Sequence, residues 1–234
     1  MRGDLRLCWM TAYRRVVVCS ALIALCAGLA VSESDFGSRL IAAAREQIGV
    51  TVQYDGAYRT IPYPNGDVPM NRGVCTDVLI RAYRVLGIDL QRLVHEDMSR
   101  AWGDYPKLWG LARPDPSIDH RRVPNLVTFF ARHGEVLPVS RAALSYRPGE
   151  LVTWRLPSGV PHIGIVGNRF TPSGSPLVVH NIGRGAVEED ILFRFTITGH
   201  FRYPAGPLPA TGRRGSGGEA LRRESGVQFA DSGG

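Results

Sequence analysis

A change of hydrophobic period at Pro148-Gly149 splits this sequence into a helical half and a strand half. Before it, apolar residues recur at helical spacing: Leu40, Ile41, Ala44 and Ile48 within residues 38–48, then Val78, Leu79, Ala82 and Leu86 after Cys75. Gly87 closes the second of these helices. Leu90 to Trp102 and Val123 to His133 read as two more. Residues 50–73, rich in Gly, Pro, Tyr and Asn, read as a loop. After the Pro-Gly turn, strands are expected over Glu150 to Leu156, His162 to Phe170 and Leu177 to Asn181, with turns at Pro157-Ser-Gly159 and Pro172-Ser-Gly174. Phe193 to Tyr203 gives a fourth. Helices followed by an antiparallel meander make an α+β order.

The termini are set apart by composition. Arg2, Arg6, Arg14 and Arg15 precede an uncharged run from Val16 to Val31 that ends among small residues. Basic, apolar, then small is the pattern of a secretory signal peptide, here over residues 1–32. The expected location is the periplasm or outside the cell, with only transient membrane contact through the leader. An uncleaved anchor is the alternative. Residues 205–234 are rich in Gly, Pro, Ser and Arg and read as a disordered tail. Residues 35–204 remain as one domain, and at about 170 residues it can bury a core without disulfides or metals.

Removing the leader leaves one cysteine. Of the four in the chain, Cys8, Cys19 and Cys26 fall in the leader, and Cys75 stands alone in the domain. Exported proteins normally pair their cysteines. A solitary one is a reactive thiol, half of an intermolecular bond, or a small buried hydrophobe. Cys75 opens a helix after Arg72-Gly-Val74. Unpaired N–H groups and the helix dipole there favour the thiolate. The same N–H groups can hold an oxyanion.

A thiol nucleophile needs a base. His162 opens a strand after a tight turn, and the next strand ends in His180-Asn181. An antiparallel neighbour sets one of these two beside His162, and a slip of one residue exchanges them. His180 is the preferred third member and Asn181 the alternative. The candidate catalytic set is therefore Cys75, His162 and His180 or Asn181.

The formal net charge of +7 is spread over leader, domain and tail, so nucleic acid is not an expected partner. There is no phosphate loop and no dinucleotide fingerprint. His95-Glu-Asp97 lacks the ligand spacing of a zinc site. Neither cofactor nor metal is expected, and the chain is expected to act as a monomer. Asp119, His120 and Arg121 precede a helix. Arginine pairs bidentately with carboxylates, so these three are candidate substrate-binding residues; a helix cap with solvated ion pairs is the alternative. Trp102, Trp109 and Trp154 line a groove or fill the core.

A cysteine on a helix, then a histidine, then a polar residue on the following strand resembles the papain-like fold of NlpC-type cell-wall cysteine peptidases. A closer resemblance runs through Tyr63-Pro-Asn-Gly-Asp67, Gly73-Val-Cys-Thr-Asp77, Val94-His-Glu-Asp-Met98, Ile118-Asp-His-Arg-Arg-Val-Pro-Asn125, His162-Ile-Gly-Ile-Val166, His180-Asn-Ile-Gly183 and Ile197-Thr-Gly-His200. It is to a family of exported bacterial proteins known as domain of unknown function 1287. The resemblance implies a papain-like α+β domain with its nucleophile helix packed on an antiparallel sheet. It also implies amidase or peptidase action on peptidoglycan through a Cys-His-polar triad. In NlpC-type enzymes Ser or Ala commonly follows the nucleophile; here Thr76 and Asp77 follow. Asp77 is a candidate substrate-side residue, or a cap for the first helical turn. A tyrosine ahead of the nucleophile shapes the oxyanion pocket in those enzymes, and Tyr54 is preferred for this role over Tyr58 and Tyr63. Two other readings stay open: a non-catalytic envelope-binding domain with this fold, and a thioester-forming acyltransferase or esterase.

Overall fold

The computed structural model describes residues 36–205. The leader, and all but the first residue of the tail, lie outside the described residues. A helix, α1, covers residues 36–45. Then come β1 (Gln53–Tyr54), β2 (Arg72–Gly73), α2 (Cys75–Val85), α3 (Leu90–Arg100) and α4 (Val123–His133). The strands β3 (Glu135–Val136), β4 (Leu151–Arg155), β5 (Pro161–Phe170), β6 (Pro176–His180), β7 (Val187–Glu189) and β8 (Thr196–Arg202) follow.

Helix α2 begins without a side-chain oxygen at its N-cap, Val74. Asp77 supplies the missing group by reaching back, its Oδ2 accepting the Val74 N–H at 2.6 Å. That is the reciprocal half of a capping box. The far end closes as a Schellman turn: Ile88 N–H donates to Tyr83 O, Gly87 N–H donates to Arg84 O, and Gly87 takes φ +82°. Helix α3 is capped by Asp89, which accepts from Gln91 N–H at 3.1 Å. Helix α4 carries Pro124 in its first turn, where a missing N–H is tolerated.

The six-stranded sheet runs β3-β8-β4-β5-β6-β7 with every pair antiparallel. Strands β4 to β7 form a meander. Strand β8 does not extend it; it crosses back to pair with β4. Alternation sends Leu151, Ile163, Ile165, Val179 and Phe201 into the main core with Leu40, Val78, Leu79, Leu126 and Phe130 of the helices. The opposite face, with Val152, Trp154, Val166 and Val178, is covered by Tyr146, Ile191 and Leu192. Helix α2 thus lies on the sheet and ends its N-terminal turn at the start of β5. This is the α+β arrangement that the resemblance implies.

Residues 50–73 are not a plain loop. Strands β1 and β2 pair in parallel, with Tyr54 opposite Gly73. Arg81 of α2 clamps the segment between them: it donates to both Asp67 carboxylate oxygens and to the carbonyls of Val68 and Arg72. A Cβ at position 73 would stand 2.9 Å from Asp77 Oδ2, so glycine there keeps the cap of α2 in place.

Candidate active site

Cys75 is the first residue of α2 and a free thiol. It is 5 % exposed. It forms part of the wall of an open cleft of ≈ 420 Å³, together with Tyr54, Val74 and Pro161. The backbone N–H groups of Ile163, Thr76 and Cys75 are turned toward its sulfur. His162 is therefore bracketed: the residue before it lines the cleft with Cys75, and the N–H of the residue after it faces the sulfur.

The expected thiolate is not the resting form. Burial pushes the Cys75 thiol up to about 12, and Asp77 adds to the rise. The N–H donors at the helix start pull the other way and are outweighed. In a dry pocket, desolvation of the anion exceeds what the helix end returns.

His162 sits opposite Trp154 across β4 and β5, with ring centroids 5.7 Å apart. Its Nε2 lies 3.1 Å from His180 Nδ1. His180 Nε2 lies 3.1 Å from Glu189 Oε1. Arg184 pairs with the other Glu189 oxygen. These contacts fix the tautomers. The Glu189 carboxylate only accepts, so His180 Nε2 carries a proton and His180 Nδ1 is an acceptor. His162 Nε2 then carries the donated proton, and His162 Nδ1 is left as the bare base. Burial pushes His162 down to about 3 and His180 to about 4, with His180 and Arg184 respectively adding to the drop. Both rings are neutral at neutral pH.

Register explains how two histidines on neighbouring strands meet. His162 and Gly164 share one face of β5; Val178 and His180 share the matching face of β6. A Cβ on residue 164 would lie 2.6 Å from Val178 Cγ1 and 3.2 Å from His180 Cβ. Glycine at 164 lets the His180 ring lean toward His162. Glu189 pairs with Val178 in register and reaches His180 diagonally.

Of the two alternatives, His180 is the one whose ring contacts His162. Asn181 is buried and ties the sheet to the nucleophile segment: its Nδ2 donates to Gly73 O at 3.0 Å and its Oδ1 accepts from Gly183 N–H. Glu189 and Arg184 were missed. The short β7 that holds Glu189 follows a glycine-rich turn and has no alternation long enough to read. The available signal was a carboxylate one hairpin beyond a histidine at a strand end.

The substrate-side candidates separate. Tyr54 and Arg121 line the cleft. Burial, with Cys75 and Asp77 adding to it, raises the Tyr54 hydroxyl, which stays a neutral donor. Asp77, Asp119 and His120 do not line the cleft, which corrects their expected contact with substrate. The Asp77 carboxylate is held by Arg121, Nε to Oδ1 at 2.8 Å and Nη2 to Oδ2 at 3.0 Å, besides capping α2. Asp119 is buried, accepts the Asp115 N–H and pairs with Arg122. His120 is buried, and desolvation with Arg121 and Arg84 nearby pushes it down to about 3. Trp154 is core, whereas Trp109 is in the cleft wall. Among the described residues, no three His, Cys, Asp or Glu side chains converge as a metal site.

The family model described as Domain of unknown function (DUF1287) matches residues 41–203. Uncharacterized protein YijF of Escherichia coli (strain K12) is 55 % identical over 160 residues, covering 68 % of this chain and 78 % of that protein. The structure of NlpC1 from Trichomonas vaginalis matches with 15 % identity and a TM-score of 0.39, over 71 % of this chain. The chain spans 44 % of the length of that structure.

Proposed function

We propose, from the premise that this chain belongs to the DUF1287 family, that it is an exported cysteine amidase or peptidase acting on the peptide amide bonds of the cell wall. One observation carries the reading. The only cysteine of the described residues opens a helix in a cleft wall, its sulfur facing the N–H of Ile163, while His162, the residue before Ile163 in the chain, has its tautomer set by His180 and Glu189. The compartment rests on the leader, and the substrate class on the peptide polymer found there.

The neutral resting pair implies a coupled first step. The Cys75 sulfur attacks the amide carbon as its proton passes to His162 Nδ1, and the carbonyl π electrons move onto oxygen. His180 Nδ1 accepts from the imidazolium, and Glu189 holds His180 in that orientation. Tyr54 and the Cys75 N–H are the donors available to the oxyanion. The imidazolium then gives its proton to the leaving nitrogen as the C–N bond breaks. Water resolves the thioester with His162 again as base.

A second reading has its own support. A thiol held neutral by burial suits an envelope-binding domain in which Cys75 is a packing residue. Incubating the protein with soluble peptidoglycan fragments beside Cys75→Ala, with products read by mass spectrometry, separates the two. A product found only with the wild-type thiol supports the hydrolase. Equal products from both, or none from either with wall binding intact, removes it. A transferred acyl mass in place of added water identifies an acyltransferase.

A further inference from the structure

The cleft beside Cys75 has cationic edges and no acid. Arg121 and Arg122 line it, and no aspartate or glutamate does. Their partners, Asp77 and Asp119, lie behind the wall at 2 % and 1 % exposure. Arg121 is turned inward. Its Nε, Nη1 and Nη2 donate to Asp77 and to the carbonyls of Ala57 and Asp55.

Arg122 is arranged differently. Nη1 donates inward to Asp119 Oδ1 at 3.2 Å. The guanidinium carbon sits 4.1 Å over the Trp109 ring, which also lines the cleft. A guanidinium offers five N–H donors in a flat fork. A carboxylate grips one arm and an indole face holds the plane, and Nε and Nη2 have no hydrogen-bond partner among the described residues. The adjoining wall is Val123 and Pro124, the first turn of the eleven-residue α4, whose dipole also favours an anion.

We propose that Arg122, stacked on Trp109, is the receptor for a carboxylate of the substrate, so that the cleft selects peptides carrying a free carboxylate close to the bond presented to Cys75. This rests on Cys75 as the nucleophile, but its test needs no turnover. A buried acid behind and an aromatic beside make the fork rigid, and a rigid fork matches a planar carboxylate better than it matches a neutral amide.

The test compares alkylation of Cys75 in the full chain by two reagent pairs that differ in charge and little in size: iodoacetate with iodoacetamide, and 3-maleimidopropionate with N-ethylmaleimide. N-acetylcysteine is the reference thiol. The anionic-to-neutral rate ratio for at least one pair is expected about tenfold above the reference, as a charge-assisted hydrogen bond gives. It should fall to near the reference in Arg122→Gln and stand between in Arg122→Lys, which keeps charge but loses the fork. Near-UV circular dichroism checks the fold. If Arg122→Gln does not fold, Arg122→Lys decides alone, with a drop of about threefold expected. Ratios equal to the reference for both pairs overturn the proposal, as does a raised ratio that survives substitution of Arg122. Wall fragments that go unhydrolysed while the ratio stays raised remove the hydrolase reading and leave this site standing.

Discussion

His162 Nε2 and His180 Nδ1 lie 3.1 Å apart with their rings nearly perpendicular, at 86°. Two neutral imidazoles can share one proton in either direction, so this contact alone does not say which ring is the base. Glu189 decides it from the far side. Its carboxylate requires a proton on His180 Nε2 and so turns His180 Nδ1 into an acceptor.

Glu189→Gln should blur that choice, because an amide both donates and accepts. Activity on the substrate is expected to fall about 10- to 100-fold, mainly in kcat, as for other groups that act by orienting a functional histidine. Nitrogen-15 spectra of the two rings give a readout independent of turnover. The wild-type protein should show Nε2-protonated rings at both positions, and Glu189→Gln a mixture. Unchanged ring signals in the variant would mean that Glu189 does not set the tautomer.

The buried thiol predicts an unusual pH profile. With its pKa pushed from 9.0 up to about 12, Cys75 at pH 7 should alkylate about a thousandfold more slowly than a free thiol of ordinary pKa. Its rate with iodoacetamide should keep rising about tenfold per pH unit through pH 10, where a free thiol has levelled. A plateau near pH 7 would mean that a thiolate–imidazolium pair is the resting state.

The Asp77–Arg121 pair carries the nucleophile segment. Both side chains are nearly sealed, at 3 % and 2 % exposure. Removing one partner leaves a buried charge without its counterpart, which costs roughly 3–5 kcal/mol. Arg121→Gln and Asp77→Asn should each lower the urea midpoint strongly. The double substitution should lose less than the sum, because the second change no longer strands a charge. Additive losses would show that the two act separately.

Much of this architecture was legible in the residues, for identifiable reasons. Helix α2 announced itself by apolar spacing and by Gly87 at its end. Strands β4, β5 and β6 were bounded by Pro and Gly turns. Cys75, His162 and His180 could be named because one is the domain's solitary thiol and the others open and close two adjacent strands. What escaped was short or non-local. Strands β1, β2, β3 and β7 have two or three residues each, too few for a period to show. The return of β8 to β4 is a tertiary choice that no local pattern encodes. Asp119 and His120 looked like solvated charge before a helix, yet they are buried, because Arg122 compensates the acid and His120 stays neutral.

Three buried neutral imidazoles should dominate acid stability. His120, His162 and His180 are each within 2 % of complete burial, and desolvation lowers all three, to about 3, 3 and 4. The ordinary histidine value is 6.5. A folded-state pKa below the unfolded one means that the unfolded chain binds more protons between the two values. The stability these groups contribute is therefore complete above about pH 6.5 and is lost as pH falls toward 3–4. Each adds up to about 1.4 kcal/mol per pH unit inside that window, so the three together reach at most about 4. A domain at the low end of the usual range, stable by roughly 5 kcal/mol, should then unfold within one or two pH units below the histidine midpoint. Urea midpoints followed from pH 7 to pH 4 should drop steeply, and His120→Gln should reduce the slope by about one proton. A flat profile from pH 6 to pH 5 would show that the imidazoles take up protons inside the folded protein, and the neutral His162–His180 pair would go with it.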